Sequence, residues 1–340
     1  AQLSRNFFSD KLLISAGIRS DINTFTTDGT NPLPTLSPRL SAAYKIHPKF
    51  ELTGSAGVYY KIPTYTVLGY RNNSNQLINQ SANYIRSTHY VFGGQFLPNE
   101  ALRITLEGFY KRYSDYPVSI NNGISLANQG QEFGAVGNEA VQSSGKGETY
   151  GLEVFIQQKL VKKLFYFVSY TYVRSKFSGI NGILIPSAWD NQHLLSGTMG
   201  YKFRKNWQLG AKYRLAGGVP YTPFNLTASQ FAYPTTGNGV LDYANVNSQR
   251  LKTYSQLDLR VDKTWNFKAT SLVFFIDIQN ILATKQQGTP YYTFKRTEDN
   301  SGFATTDGQP LKADGSNGIP LLLKNESATV TPTLGLIFQF

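Results

Sequence analysis

The chain has 340 residues and a formal net charge of +12, from 33 Lys and Arg against 21 Asp and Glu. It has no cysteine, which excludes disulfide frameworks and thiolate metal sites. No apolar run approaches the ~20 residues that a membrane helix needs. Aromatic residues are abundant, with 22 Tyr and 22 Phe, whereas charged residues are only 16%. This composition favours a membrane β-barrel over a soluble β-sandwich, because in a barrel only every second residue meets lipid.

The positive charge suggests an anionic partner. Lys and Arg are scattered rather than grouped in blocks, which disfavours nucleic acid and favours the phosphates of lipopolysaccharide in an outer membrane. The opening AQLSRNFFSD lacks the basic start and apolar core of a signal peptide. We therefore expect either a mature chain or a piece of a longer one.

Alternation of apolar and polar residues predicts an all-β fold, a transmembrane antiparallel β-barrel to which this chain contributes about twelve strands. The predicted strands are Leu12–Asn23, Pro38–Ile46, Phe50–Lys61, Tyr84–Leu97, Ala101–Ser119, Gly147–Leu160, Leu164–Lys176, Gln192–Phe203, Trp207–Gly217, Thr253–Lys263, Thr270–Ile281 and Ala328–Phe340. The last strand, VTPTLGLIFQF, ends on an aromatic residue and is typical of a closing strand in an outer-membrane barrel. We interpret Leu336, Phe338 and Phe340 as a signal for the barrel-assembly machinery.

The connections between these strands alternate between short and long along the whole chain. Bacterial barrels have short periplasmic turns and long extracellular loops, and a soluble sandwich has no reason to segregate its loops in this way. The alternation predicts that the carboxyl terminus and the short turns are periplasmic and that the long loops face outside. Twelve strands that do not close leave two open edges, which lipid does not tolerate. Either the twelve strands form a complete barrel, or the first predicted strand pairs with strands missing from this sequence.

Several segments resemble the carboxyl-terminal part of TonB-dependent outer-membrane receptors, especially those of Bacteroidetes-type bacteria. In order, they are SPRLSAAYKI (37–46), GFYKRYSDYPVSI (108–120), GKGETYGLEVFIQQKL (145–160), FVSYTYVRSKF (167–177), IPSAWDNQHLLSGTMGYKF (185–203), WQLGAKYRLAGGVPYTPF (207–224), YSQLDLRVDKTWNF (254–267), SLVFFIDIQNIL (271–282) and TPTLGLIFQF (331–340). The resemblance implies that residues 1–340 are the carboxyl-terminal half of a plugged barrel of about 22 strands. The plug domain and the first barrel strands are absent from this sequence.

By this resemblance, the protein binds a scarce nutrient with its external loops and imports it with energy from the TonB complex, which acts through the missing plug. The implied partners also include the upstream strands, outer-membrane lipid and a surface lipoprotein. The nutrient stays open among iron chelate, oligosaccharide, peptide and vitamin. The net charge of +12 leans weakly toward an anionic ligand.

No catalytic or cofactor signature is present, so we expect neither an enzyme nor a cofactor. Asp190 and His193 are conceivable metal ligands, but a hydrogen-bonded strand-entry motif is the favoured explanation. The segment ADGSNG (313–318) is interpreted as a turn rather than as a calcium loop.

Charged residues recur on one face of several predicted strands, and we expect them to face the lumen because charges on lipid faces are costly. They are Arg103, Glu107, Lys111, Glu153, Lys212, Arg214, Asp258, Arg260, Asp262 and Asp277. The main interpretation is a hydrated wall whose charges pair with each other or with a plug. The alternative is a path for a polar substrate.

Aromatic residues in or beside the long loops are candidate ligand contacts, since their rings stack on sugars, siderophores or peptides. They are Tyr65, Tyr70 with Arg71, Tyr116, Trp189, Tyr221, Phe231, Tyr233, Tyr291 and Tyr292. For many of them the alternative role is a place in the outer aromatic girdle or the packing of the loops against each other.

A self-contained twelve-stranded barrel is the alternative to the plugged importer. It would act as a pore, as a hydrolase with His193 and His89 near its outer rim, or as a structural component of the envelope.

Overall fold

The computed structural model describes residues 1–130 and 136–340. The strands are β1 (Gln2–Phe7), β2 (Leu12–Arg19), β3 (Ser37–His47), β4 (Phe50–Lys61), β5 (Ile85–Asn99), β6 (Leu102–Ser119), β7 (Val141–Val161), β8 (Leu164–Ser178), β9 (Leu184–Pro186), β10 (Gln192–Lys202), β11 (Trp207–Ala216), β12 (Pro220–Tyr221), β13 (Gln249–Arg250), β14 (Tyr254–Asn266), β15 (Ser271–Gln279), β16 (Gln286–Gln287), β17 (Tyr291–Phe294), β18 (Pro320–Leu323), β19 (Glu326–Ser327) and β20 (Thr331–Gln339). The α-helices are α1 (Tyr65–Leu68) and α2 (Leu226–Thr236), and short 3-10 turns span Leu33–Thr35, Leu126–Asn128, Arg204–Asn206 and Tyr243–Asn245.

One large antiparallel sheet dominates the fold. Its strand order is β1-β2-β3-β4-β5-β6-β7-β8-β10-β11-β14-β15-β20, with β9 added to β8, and the remaining short strands form two-stranded ladders within the loops. Each long strand therefore pairs with its neighbours in the chain, as in an up-and-down barrel wall. In the part of the chain that the structure describes, β1 and β20 each have a partner on one side only.

The predicted all-β fold is confirmed, and each of the twelve predicted strands is present. Strand β1 was not predicted, because Arg5 interrupts the apolar positions Leu3 and Phe7 in so short a segment. The first predicted strand ends at Arg19 rather than at Asn23. The Asn23 side chain accepts hydrogen bonds from the backbone of Phe25 and Thr26, an Asx turn that competes with the strand.

The loops hold regular structure that the sequence did not predict. Helix α2 is preceded by Asn225, whose side chain accepts a hydrogen bond from the Ala228 amide, and is followed by Gly237 with a φ of 67°. These are standard helix caps. The helix has no strong apolar face to reveal it in the sequence, since it packs among other loops rather than on a core.

The connections alternate as predicted. Short turns cover residues 8–11, 48–49, 100–101, 162–163, 203–206 and 267–270. The long connections are named here loop I (20–36), loop II (62–84), loop III (the described residues 120–130 and 136–140), loop IV (179–191), loop V (217–253) and loop VI (280–330). Strand β20 ends beside the turn at 267–270, because Gln339 pairs with Ser271. All long loops lie at one end of the sheet and Phe340 lies at the other.

The register divides the sheet into two chemically different faces. Residues directly opposite each other in an antiparallel pair project to the same face. Lys212 lies opposite Asp258, and Arg260 lies opposite Asp277, so these charges share one face. Carrying the pairing across the sheet puts ten charged residues on that face, called here the polar face: Arg103, Glu107, Lys111, Glu153, Lys212, Arg214, Asp258, Arg260, Asp262 and Asp277.

The opposite face, called here the apolar face, carries rows of hydrophobic side chains. One row crosses five strands through Leu106, Val154, Tyr170, Leu195 and Leu215. Side chains of this face are open to the surroundings: Leu106 in this row is 49% exposed, and Leu334 and Leu336 on β20 are each 68% exposed. Every buried hydrophobic residue among those described lies in or next to loops II, III, IV and VI. The hydrophobic packing of the chain is therefore at the loop end, and its sheet offers a bare apolar surface.

No helix in residues 1–130 or 136–340 combines the length and the apolar character of a membrane-crossing helix.

A charge placed on the apolar face should be far more costly than one placed beside it on the polar face. Leu106 is 49% exposed on the apolar face, five residues into β6, and Thr105 lies next to it on the polar face. We expect Leu106→Arg to destabilise the folded barrel by about 2–4 kcal/mol, the cost of an arginine near the bilayer midplane. Thr105→Arg should change stability little. Urea titration of the folding of the native protein in lipid vesicles, followed by gel mobility, measures both variants. Equal losses for the two would contradict the assignment of the faces.

Candidate functional site

The long-loop end of the sheet is held together by buried polar side chains. Asp190 in loop IV is fully buried, and its Oδ1 accepts a 2.7 Å hydrogen bond from the Ser175 amide of β8. Its Oδ2 pairs with Nη2 of Arg250 in loop V, and Nε of Arg174 lies 3.5 Å from Oδ1. Two arginines therefore neutralise one buried carboxylate at the junction of β8 with loops IV and V.

Asp190 and His193, the two conceivable metal ligands, both contact protein groups. Arginines and a backbone amide occupy the carboxylate, while Nδ1 of His193 lies 2.9 Å from the Tyr170 hydroxyl. No group of three metal-ligating side chains occurs among the described residues. Asp190 thus has the hydrogen-bonded role at the entry to a strand that the sequence favoured.

Asparagine side chains join loops III, IV and V. Asn247 is 4% exposed, and its Nδ2 donates to the carbonyls of Asn128 at 3.0 Å and Pro186 at 2.8 Å. Asn128 is 2% exposed, and its own Nδ2 donates to the Pro186 carbonyl at 2.9 Å. Since Asn128 and Asn247 are 119 residues apart in the chain, the contact fixes distant loops against each other.

Loops II and III are joined in a similar way. Asn79 is 2% exposed, donates to the carbonyls of Val67 and Glu139, and accepts from the Val141 amide at 3.0 Å. Val67 and Val141 also pack with Leu126 in a small hydrophobic cluster. Loop II is thereby tied to the start of β7.

Loops V and VI meet through helix α2. Nε2 of Gln230 donates to the Gly318 carbonyl at 3.0 Å, and the Tyr233 hydroxyl lies 2.8 Å from that of Thr293. The Tyr233 ring contacts those of Tyr292, Phe294 and Phe303 at centroid distances of 5.0–6.0 Å. Lys252 and Glu326 form an exposed ion pair between the same loops, and the hydrogen bond from Lys252 lowers the pKa of the Glu326 carboxyl.

A cavity of about 340 Å³ lies between loops III, V and VI. Its described lining includes Asn128, Gln129, Tyr221, Phe224, Tyr243 and Pro290. The volume is at the lower end of the range for small-molecule sites, and the mixture of aromatic and amide groups is usual for them. We take this cavity, with the surrounding loop surface, as the candidate functional site.

The structure places the predicted aromatic contacts in different surroundings. Tyr65, Trp189, Phe231 and Tyr291 are exposed, at 66%, 47%, 54% and 59%. Tyr116, Tyr233 and Tyr292 pack the loops, and Tyr292 is only 5% exposed. Tyr221 lines the cavity. Tyr70 is half-buried, and Arg71 is exposed and donates to the Asn75 carbonyl at 2.7 Å.

Sequence reasoning missed Asn128, Gln129, Phe224 and Tyr243 in the cavity lining. No local pattern marks them, because they come from loops without periodicity and meet only in the fold.

The charges of the polar face are arranged differently along the sheet. On β11 and β14, Arg214 pairs with Asp258 at 3.1 Å and Arg260 pairs with Asp262 at 2.8 Å. On β6 and β7, by contrast, Glu107 lies directly opposite Glu153. Like charges directly opposite each other are unfavourable unless water or another partner screens them. One part of this face is therefore paired within the wall, and the other is suited to water or to an external partner.

A comparison with models of protein families identifies the family of this chain. A family model described as a TonB dependent receptor-like β-barrel matches residues 1–281. The chain belongs to this receptor family.

Three solved structures illustrate the shared fold. The outer-membrane ferripyoverdine receptor of Pseudomonas aeruginosa is 14% identical with a TM-score of 0.56, and the match covers 99% of this chain and 38% of that one.

The siderophore receptor PiuA of Acinetobacter baumannii is also 14% identical with a TM-score of 0.56, over 97% of this chain and 41% of PiuA. The ferric yersiniabactin uptake receptor FyuA of Yersinia pestis is 13% identical with a TM-score of 0.54, over 97% and 44%. The chain thus spans about two fifths of the length of these TonB-dependent receptors. A search of curated proteins found no significant match.

Removing the buried carboxylate of Asp190 should loosen the loops of this receptor barrel. Asp190→Ala leaves Arg250 without its partner, and breaking a buried pair costs about 3–5 kcal/mol. We expect loops IV and V to become sensitive to protease while the strands stay folded. Asp21→Ala is the matched control, because its pair with Arg19 is exposed and worth about 0–1 kcal/mol. Limited proteolysis with mapping of the cut sites checks both variants. Equal protection of the loops in the two variants would show that the Asp190 network does not hold them.

Proposed function

We propose that this chain is the carboxyl-terminal part of the barrel of an outer-membrane importer. The importer binds a scarce nutrient through loops I–VI and moves it through the lumen with energy from the TonB complex. The observation that carries the proposal is the two-faced sheet of a receptor family, capped at one end only by interlocked long loops. A bare apolar face suits lipid, and a charged opposite face suits a hydrated lumen.

The open edges support the assignment to part of a larger barrel. Lipid-exposed sheet edges do not occur within the hydrocarbon region, because their backbone groups would be unsatisfied. In the described residues β1 and β20 do not pair with each other, so each of these two edge strands needs a further strand beside it. We assign these strands and the plug to sequence upstream of Ala1. The similarity to solved receptors over about two fifths of their length supports this assignment.

The same reasoning orients the chain. Loops I–VI are extracellular, and the short turns and the carboxyl terminus are periplasmic, as bacterial barrels are arranged. The polar face with Glu107 and Glu153 then lines the lumen beside the plug, through which the TonB complex acts. Lipopolysaccharide is the natural counterpart of the net charge of +12. From the resemblance to Bacteroidetes-type receptors we also propose a surface lipoprotein as a partner that binds over the loops.

The alternative of a rim hydrolase has no support in the geometry. The register puts His89 on the polar face, opposite Lys111, and His193 on the apolar face, opposite Tyr172. Two histidines on opposite faces of one sheet do not converge on a common substrate. A self-contained pore or structural barrel would require β1 to close on β20.

The last residue should be needed for efficient assembly. Phe340 is 99% exposed at the short-turn end, and its ring lies 6.3 Å from that of Phe338 between centroids. If Leu336, Phe338 and Phe340 form the signal for the barrel-assembly machinery, Phe340→Ser will lower the amount of assembled receptor in the outer membrane several-fold. Phe267→Ser is the control, since Phe267 is 60% exposed in the turn at the same end. Quantifying the heat-modifiable receptor in outer-membrane fractions measures the effect. Equal levels for the two variants would remove the signal role from Phe340.

The import function is tested by growth on single limiting nutrients. We expect a strain lacking the receptor gene to grow poorly on one nutrient from a panel of ferric citrate, a ferric tricatecholate, cobalamin, neutral oligosaccharides and peptides. Loss of TonB should reproduce the defect, because import needs TonB-derived energy. The native receptor should restore growth. A receptor in which Leu226–Thr236 is replaced by a Gly-Ser linker should assemble but restore growth poorly. Normal growth of the deletion strain on the whole panel would favour a structural role.

A further inference from the structure

The positive charge of the chain is concentrated at the short-turn end of the sheet. Within four residues of the six short turns lie thirteen Lys and Arg but only three acidic residues, Asp10, Glu51 and Glu100. Since the whole chain has 33 Lys and Arg against 21 Asp and Glu, the remaining strands and loops are nearly neutral. Most of the net charge therefore lies opposite the long loops, where lipopolysaccharide does not reach it in the orientation proposed above.

Two neighbouring turns at this end carry cations without a carboxylate. The turns at 203–206 and 267–270 are neighbours, because β11, which follows the first turn, pairs with β14, which precedes the second. Their cations, called here the basic patch, are Arg204, Lys205, Lys263 and Lys268. No ion pair among the described residues includes any of these four. Asp262, the acidic residue next to the patch in the chain, lies on the polar face and pairs with Arg260 at 2.8 Å.

Two tryptophans place the basic patch at the boundary between the apolar face and water. Trp207 lies directly opposite Lys263 on the apolar face, and Trp265 is two residues farther along the same face of β14. The two tryptophans are 45% and 42% exposed. Nζ of Lys263 lies 5.4 Å and 5.6 Å from their ring centroids and donates a hydrogen bond to the Lys205 carbonyl. Tryptophan concentrates at the headgroup level of membranes, and its ring attracts an ammonium group. The Lys263 ammonium is therefore held at the level of lipid headgroups.

Apolar side chains continue from the basic patch toward the middle of the sheet. Leu209, Val261 and Ile276 form a row on the apolar face, two residues farther from the turns than Trp207 and Lys263. Leu209 is 38% exposed and Ile276 is 37% exposed. Cations, interfacial rings and bare apolar side chains thus follow each other in the order in which a phospholipid presents its phosphate, its glycerol backbone and its acyl chains.

We propose that the basic patch binds the phosphate of an anionic phospholipid of the periplasmic leaflet, such as phosphatidylglycerol. Clusters of Lys and Arg beside a membrane attract anionic headgroups. A zwitterionic lipid has no net charge to balance four cations, so it fits the patch less well. The lipid's acyl chains lie along Leu209, Val261 and Ile276. The inference goes beyond nutrient import, but it rests on the membrane orientation given under the proposed function.

Native mass spectrometry of the full receptor in detergent, titrated with phosphatidylglycerol or with phosphatidylethanolamine of the same acyl chains, tests the proposal. We expect phosphatidylglycerol to bind more tightly. Arg204→Gln combined with Lys268→Gln should weaken its tightest binding about thirtyfold, because each cation near an anionic surface contributes about a factor of five. The matched control is Lys11→Gln combined with Lys49→Gln. It removes the same charge from two other short turns, which have no tryptophan beside them, and should leave that binding unchanged.

A second pair of variants tests the aromatic part of the site. Trp265→Phe keeps a ring beside Lys263 and should bind phosphatidylglycerol nearly as the native receptor does. Trp265→Leu removes the ring and should bind it several-fold more weakly. Heat-modifiable gel mobility of each variant confirms that the barrel is folded. Equal affinities of the leucine variant and the native receptor would exclude this ring from the site.

Three results would overturn the proposal. Equal affinity of the native receptor for the two lipids would show that it does not recognise the anionic charge. Phosphatidylglycerol binding that survives the Arg204→Gln and Lys268→Gln changes would assign the lipid to another surface. Labelling of Ala269→Cys, but not of the native receptor, by a membrane-impermeant maleimide in intact cells would place the turn at 267–270 outside the cell.

The proposal and the import function fail separately. The first two results leave import untouched, because the growth defect and its dependence on TonB are measured without reference to lipid. Labelling of the cysteine would reverse the orientation of the loops, but a growth defect that depends on TonB would still show import.

Discussion

Backbone N–H and C=O groups in hydrocarbon have no water to bond, so each group of a lipid-exposed strand must find its partner within the sheet. The long strands meet this requirement by pairing in chain order, each with the strand before and after it. The same constraint explains the sparse hydrophobic packing of the sheet. Its apolar side chains contact solvent rather than each other, and Leu334 and Leu336 are exposed because lipid is their natural environment. At β1 and β20 the requirement is unmet among the residues that the structure describes, and the proposal of a larger barrel depends on those two edges.

The loops at the end of the sheet are stabilised differently from the strands. Water is available there, and loops I–VI are ordered mainly by buried polar side chains, with small apolar clusters between them. Asp190 accepts a hydrogen bond from the backbone of β8, and Asn79 and Asn247 each bond to backbone groups of other loops. A polar network of this kind is stabilising only when its members are satisfied, and one missing partner is costly. These contacts join loops III, V and VI around the cavity.

The sequence predicted strands correctly where one face of the sheet is apolar and the other polar, because that arrangement makes apolar and polar residues alternate along the strand. The alternation of Leu257, Leu259 and Val261 against Asp258, Arg260 and Asp262 identified β14 and its polar side. It failed at β1, where Arg5 stands among the apolar positions, and in the loops, where α2 depends on the caps at Asn225 and Gly237 rather than on a period.

The candidate site was less accessible to sequence reasoning than the fold. Loop aromatics were identified by type, but type does not separate exposed Tyr291 from buried Tyr292, its neighbour in the chain. The cavity residues Asn128 and Gln129 carry no signal of their own. They become visible only when loops from distant parts of the chain meet, as the contact between Asn128 and Asn247 shows. The residues of such a site come from segments far apart in the chain, so no short stretch of sequence shows them together.

The central claim is that this sheet is completed by strands and a plug outside the present sequence. The most direct measurement is the intact mass of the native polypeptide purified from outer membranes, together with a peptide map. The account predicts a mass well above 37.9 kDa, with peptides from a plug and further strands upstream of Ala1. A mass near 37.9 kDa would contradict it. It would require β1 to pair with β20 in a closed barrel and would remove the plugged import mechanism.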